Sequence, residues 1–90
     1  MYTMNRFEFD SEKSHSNLKK HGIDFTHAQK LWDDPNMVKI QARSIEEARF
    51  VIIACIADRI WSAVITYRKN KIRIISVRRS RRSEVTLYES

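Results

Sequence analysis

Glycine and proline are almost missing from this chain, with one of each, Gly22 and Pro35. A lone glycine excludes a Gly-rich phosphate loop and a GxSxG nucleophile elbow. The scarcity of both residues excludes low-complexity linkers and favours dense regular structure. Cysteine is as scarce: Cys55, in "FVIIACIA", has no partner for an internal disulfide and reads as a core residue in a reducing compartment. No apolar run reaches the ~18 residues of a membrane span, and no apolar N-terminal segment resembles a signal peptide. The expectation is a cytoplasmic protein forming one domain over residues 1–90. The histidines, His15, His21 and His27, are six apart, so no two stack on one helix face; with no CxxC or acid–histidine cluster beside them, no metal site or other cofactor is expected.

What the chain does have is positive charge, unevenly placed. The formal net charge is +6. Residues 1–40 hold six basic and six acidic side chains, and residues 41–90 hold eleven basic and five acidic. The whole excess therefore belongs to the C-terminal half. Between Arg68 and Arg82 there are eight Lys or Arg and no acid. A polyanionic partner is expected to meet this half; the alternative is a basic face that is merely solvated.

Periodicity predicts an α+β domain in the order β-α-α-β-β-β-β-α, with a small antiparallel sheet of four to five strands, two N-terminal helices and a closing helix. "NRFEF" alternates as a short strand. Asp10 is placed to cap "SEKSHSNLKKH", and Gly22 to end it. Leu18 is the one apolar residue of that helix. Asp24 can cap a second helix, "FTHAQKLWDD", which Pro35 terminates. "MVKIQ", "ARFVIIACIA", "IWSAVITYR" and "IRIISVRR" read as a meander turning at Asp58-Arg59 and Asn70-Lys71. The near-continuous apolarity of the two middle strands predicts cover on both sheet faces. "SRRSEVTLYES" forms the closing helix, with Ser80 or Ser83 near its start.

In a regular strand over 72–79, Arg73, Ile75, Val77 and Arg79 share one face and Ile72, Ile74, Ser76 and Arg78 the other. Arg73 on an apolar strand needs a partner, either Glu8 or Glu84 in an ion pair, or a phosphate gripped bidentately. His21 is either a helix-end cap or a proton shuttle, since its ordinary pKa suits transfer near neutrality. Tyr67 and Tyr88 are core or rim aromatics, either of them able to stack on a base.

"FEFD", "NLKKHGIDF", "WDDP" and "IRIISVRR" followed by Glu84 and Tyr88 resemble, in this order and over nearly the whole chain, the BrnT toxins of bacterial type II toxin–antitoxin systems. The resemblance implies a RelE-like ribonuclease fold and an endoribonuclease that arrests growth. It also implies a cognate DNA-binding antitoxin, BrnA, in a heterotetramer expected from the two-fold symmetry of such a repressor. The chain departs from the family pattern at Phe9, at Arg81 and in the absence of glycine around Ala54–Arg59. On this reading Arg73, Arg78 and Arg79 grip the scissile phosphate, His21 moves protons, and Lys20 and Glu84 are further candidates for that task. Arg68, Lys69, Lys71, Arg81, Arg82, Tyr67 and Tyr88 bind the flanking RNA. The competing class is a non-catalytic basic module that binds RNA or DNA, or only an acidic antitoxin segment.

Overall fold

A computed structural model describes residues 6–44 and 46–90. Asn5, at the start of the expected first strand, lies outside the described residues. The elements are β1 (Phe7–Glu8), α1 (Ser11–His21), α2 (Phe25–Ala28) continuing into a 3-10 turn (Gln29–Asp33), β2 (Val38–Ala42), β3 (Arg49–Ile56), β4 (Arg59–Arg68), β5 (Lys71–Arg79) and α3 (Arg82–Glu89). The five strands form one sheet in the order β1-β5-β4-β3-β2.

The expected α+β class holds, with two corrections. The sheet is mixed rather than antiparallel, because β1 pairs in parallel with β5, Phe7 opposite Ile72 and Glu8 opposite Arg73. These strands are far apart in sequence, so the connection between them is free to cross over and align them in the same direction. The expected pair of N-terminal helices is also not what forms. After α1, Asp24 caps α2 by accepting the His27 N–H at 2.7 Å, but α2 lasts only four residues before tightening into the 3-10 turn. Pro35 disfavours helical backbone at Asp34, and a tightened last turn is the usual response. It buries Leu31 completely and sets Trp32 edge-on to Phe7.

α1 begins and ends where expected. Asp10 Oδ1 accepts the N–H groups of Glu12 and Lys13, and Gly22 closes the helix in the left-handed region at φ 80°. Its docking face is not the apolar one, however. Leu18 is 43% exposed, whereas Asn17 and Ser14 are 7% exposed. Ser14 Oγ accepts the Phe25 N–H at 2.8 Å. The Asn17 carboxamide donates to the carbonyls of Ile23 and Val77 at 2.8 and 2.9 Å and accepts the Val77 N–H at 3.2 Å. On the outer edge of β5, that side chain stands in for a neighbouring strand.

One sheet face is covered by the helical segment between β1 and β2. Phe7, Ile23, Phe25, Leu31, Ile52, Ala63, Ile65, Ile74 and Val77 form the core there. The other face is covered only in part, by α3 at one end. Ile53 and Ser62 are fully buried on it, but Val38, Ile40, Val51 and Val64 are half-buried. The expected cover on both faces is therefore incomplete.

Both hairpin turns lie one residue earlier than expected, at Ala57-Asp58 and Lys69-Asn70, each pair with positive φ. Two-residue turns of this hand match the twist of the flanking strands, which outweighs the preference for glycine at those positions. α3 is capped at Arg81 rather than at either serine. Arginine has no side-chain acceptor, so Glu84 alone completes the cap, its Oε1 accepting the Arg81 N–H at 2.8 Å.

Candidate functional site

The geometry of β5 decides where its arginines point. Val64 pairs with Ser76 but Ile65 pairs with Ile74, so Ile75 is an extra residue, a β-bulge. Strict alternation would put Arg73 with Val77 and Arg79. The bulge reverses this. Arg73 pairs across to Thr66, Ser76 to Val64 and Arg78 to Ser62, all on one face of β4. Arg79 pairs to Trp61 on the helix-covered face, its guanidinium 5.5 Å from the indole centroid.

Arg73 and Arg78 thus share a face, and each has a carboxylate. Arg73 Nη1 lies 3.3 Å from Glu8 Oε2, one of the partners weighed from the sequence. Arg78 makes a fork-to-fork pair with Glu84, Nη1 to Oε1 at 2.7 Å and Nη2 to Oε2 at 2.9 Å. Ser62 Oγ also donates to Glu84 Oε1 at 2.9 Å and lies 2.7 Å from Ser80 Oγ. Hydrogen bonds from Arg78 are the main reason that the Glu84 carboxyl titrates down at about 2, and the same pairing raises Arg78. Glu84 is therefore an ionised anchor at neutral pH and holds no proton to donate.

β1 covers the outer edge of β5 at residues 72–73, and Asn17 covers it at Val77. Between them is a cleft of about 210 Å³ lined by Lys13, Ser16, Asn17, Lys20, His21, Ile75 and Ser76. The fold brings Lys20 and His21 from the last turn of α1 to the bulge. Ser76, between Arg73 and Arg78 on their shared face, lines the same cleft.

The remaining basic and aromatic candidates are dispersed. Lys71 and Arg79 end a strand of nine residues, about 26 Å long at ~3.3 Å per residue. Arg68, Lys69 and Lys71 therefore sit at the opposite end of the sheet from Arg81 and Arg82. Arg68 is 3.4 Å from Glu47. Tyr67 accepts a hydrogen bond from Lys39 Nζ at 3.2 Å and packs edge-on to Phe50. Tyr88 donates to Asp34 Oδ2 at 2.6 Å, which pushes the phenol up to about 12. Asp34 also accepts the N–H groups of Asn36 and Cys55, and the balance holds its carboxyl below the ordinary range although burial opposes the shift. This ties α3 to the end of the 3-10 turn and to β3.

Sequence reasoning missed Asn17, Ser62, Asp34 and Trp61. For Asn17 there was a signal: with Ser14 it forms an i,i+3 pair of small polar residues on one side of α1, the pattern of a face docked by hydrogen bonds. Asp34 lay within the "WDDP" of the family pattern, which named no partner for it; Ser62 and Trp61 gave no signal, since their partners are remote in sequence.

A small α+β protein with a basic cleft at a sheet edge and paired arginines on the adjoining strand is the class defined by these features. Residues 9–84 match the family described as ribonuclease toxin, BrnT, of type II toxin-antitoxin systems, and the chain belongs to that family. No curated protein matches it. Membership makes the chain a toxin of the ribonuclease type with an antitoxin partner. Among the described residues no helix is long and apolar enough to cross a membrane, and no group of three or more His, Cys, Asp or Glu is placed to hold a metal ion.

Proposed function

We propose that the chain is a metal-independent endoribonuclease that cuts RNA in the cleft between the end of α1 and the bulge of β5. The observation that carries this reading is the convergence of Lys13, Lys20 and His21 on Ser76, beside the shared face of Arg73 and Arg78. RNA brings its own nucleophile, the 2′-OH. The protein has to orient it, remove its proton, stabilise charge on the phosphorane and protonate the leaving 5′-oxygen. His21 is the proton shuttle in this scheme and Lys20 a fixed positive charge beside it. Arg73, half-buried with a single 3.3 Å contact to Glu8, keeps donors for a phosphate. Arg78 is held by Glu84 on the strand face that it shares with Arg73. Arg79 faces away from this cleft.

The products are a 2′,3′-cyclic phosphate and a 5′-hydroxyl, and a substrate with 2′-deoxy at the cut site is inert. Incubation with RNA in EDTA followed by end-group analysis tests the scheme. Loss of cutting in EDTA, or a 5′-phosphate end, refutes it. Binding of RNA without cutting at any protein concentration would instead favour the non-catalytic basic module.

The antitoxin is read as a BrnA-like DNA-binding repressor acting in the cytoplasm, and the fold as RelE-like. A two-fold repressor brings two toxin chains together, so the co-expressed complex is a heterotetramer. Light scattering that shows a stable one-to-one heterodimer at high concentration counts against it.

A further inference from the structure

His21 lines the catalytic cleft just proposed, and the next residue, Gly22, lines another. This second cleft, of about 220 Å³, is bounded by Ile23, His27, Ile56, Arg59 and Trp61 as well. Arg59 and Trp61 are two apart on β4 and so share a face. Arg59 pairs across to Ile56, and Trp61 across to Arg79. Arg59, Trp61 and Arg79 therefore gather at one end of the helix-covered face, opposite His27 of α2. Arg59 and Arg79 are both exposed. Among the described residues neither is in an ion pair, in contrast to Arg68, Arg73 and Arg78. Asp58, the acid nearest in sequence, is exposed in the turn and does not pair with Arg59.

An apolar floor of Ile23, Ile56 and Trp61, lined by the Arg59 guanidinium and the His27 imidazole and adjoined by Arg79 over the Trp61 ring, suits a group that is flat and apolar at one end and anionic at the other. A nucleotide has that form, with its base against the floor and its phosphate on the arginines. Arg79 is already held over the indole, so little ordering remains when it grips a phosphate. We infer that this cleft is a second nucleotide subsite, taking a nucleotide that flanks the one at the first cleft on a strand crossing the end of α1. The assignment of that strand as substrate rests on the ribonuclease reading; the subsite's binding chemistry does not.

The test uses a short 2′-O-methyl oligoribonucleotide, which has no free 2′-OH and stays intact on the protein. Its affinity is measured across salt for the wild type, for Arg59→Ala with Arg79→Ala, and for Arg59→Lys with Arg79→Lys, each checked by thermal melting. Each phosphate neutralised on a single strand contributes about 0.7 to the log–log slope, so the alanine pair, which frees the subsite's one phosphate, should flatten it by about 0.7. The lysine pair should restore the slope. An unchanged slope in the folded alanine variant, or no binding by the wild type, overturns the subsite. Cleavage of unmodified RNA is scored separately by its end groups. A flattened slope in a chain that cuts no RNA leaves the subsite standing and removes the ribonuclease reading; normal cutting with an unchanged slope does the reverse.

Discussion

Glu84 holds Arg78 through two hydrogen bonds, at 2.7 and 2.9 Å, with only 12% and 26% of the two side chains exposed. The same carboxylate caps α3 through the Arg81 N–H and takes the Ser62 hydroxyl. One acid thus fixes the direction of an arginine on the sheet and the start of the last helix. The titration of Glu84 follows from this. Its carboxyl is lowered from an ordinary 4.5 to about 2 in the folded chain. A depressed acid adds stability above its unfolded pKa and loses it as pH falls through the folded one. Urea midpoints should decline between about pH 4.5 and 2. Glu84→Gln should lack that portion of the decline and be less stable at pH 7 by about 2 kcal/mol, the scale of lost hydrogen bonds to a charged group.

Asn17→Ala should cost about 3 kcal/mol in chemical denaturation, because it strands the N–H and C=O of Val77 and the C=O of Ile23. Leu18→Ala, on the exposed side of the same helix, should change stability by less than about 0.5 kcal/mol. Equal effects for the two variants would contradict the polar docking of α1.

Ala57 has φ 48° in the turn between β3 and β4, where glycine is unstrained. Ala57→Gly should relieve about 1 kcal/mol of left-handed strain, set against a smaller loss from the added freedom of the unfolded chain. A thermal midpoint that does not rise would show the strain to be absent.

The Tyr88 phenol is pushed up to about 12 by the 2.6 Å hydrogen bond to Asp34, with burial and the neighbouring charge adding to it. The folded pKa of an acid raised in this way means that its stabilisation is present below pH 10 and disappears as pH rises towards 12. Ultraviolet titration of the folded chain should show a late phenolate step near pH 12 that Tyr88→Phe abolishes. A late step surviving in that variant would assign the shift to another tyrosine.

His21→Ala should lower the cleavage rate by about 10²–10⁴ if the imidazole moves a proton, with little change in the melting temperature. Arg73→Ala should cost roughly 10² or more if the guanidinium meets developing charge on the phosphorane. Single-turnover rates separate these losses from weakened binding. A His21→Ala chain that cuts RNA at the wild-type rate would return that residue to the helix-end role weighed from the sequence.

The sequence by itself determined the α+β class, the limits of α1, the excess charge of the C-terminal half and the family pattern. Each rests on local chemistry: capping residues, hydrophobic period and charge counting act over a few positions. Only the tertiary structure decided the faces of β5. The bulge at Ile75 exists because β4 and β5 pair in two registers that differ by one residue, and a period of two turns that single residue into a reversal. It put Arg73 and Arg78 together and sent Arg79 to Trp61. The parallel position of β1, the docking of α1 through Asn17 rather than Leu18, and the hold of Glu84 on Arg78 were likewise settled by contacts between segments remote from one another, or by side-chain direction. No reading of neighbouring residues contains those contacts, since in the extended chain the groups that make them do not meet.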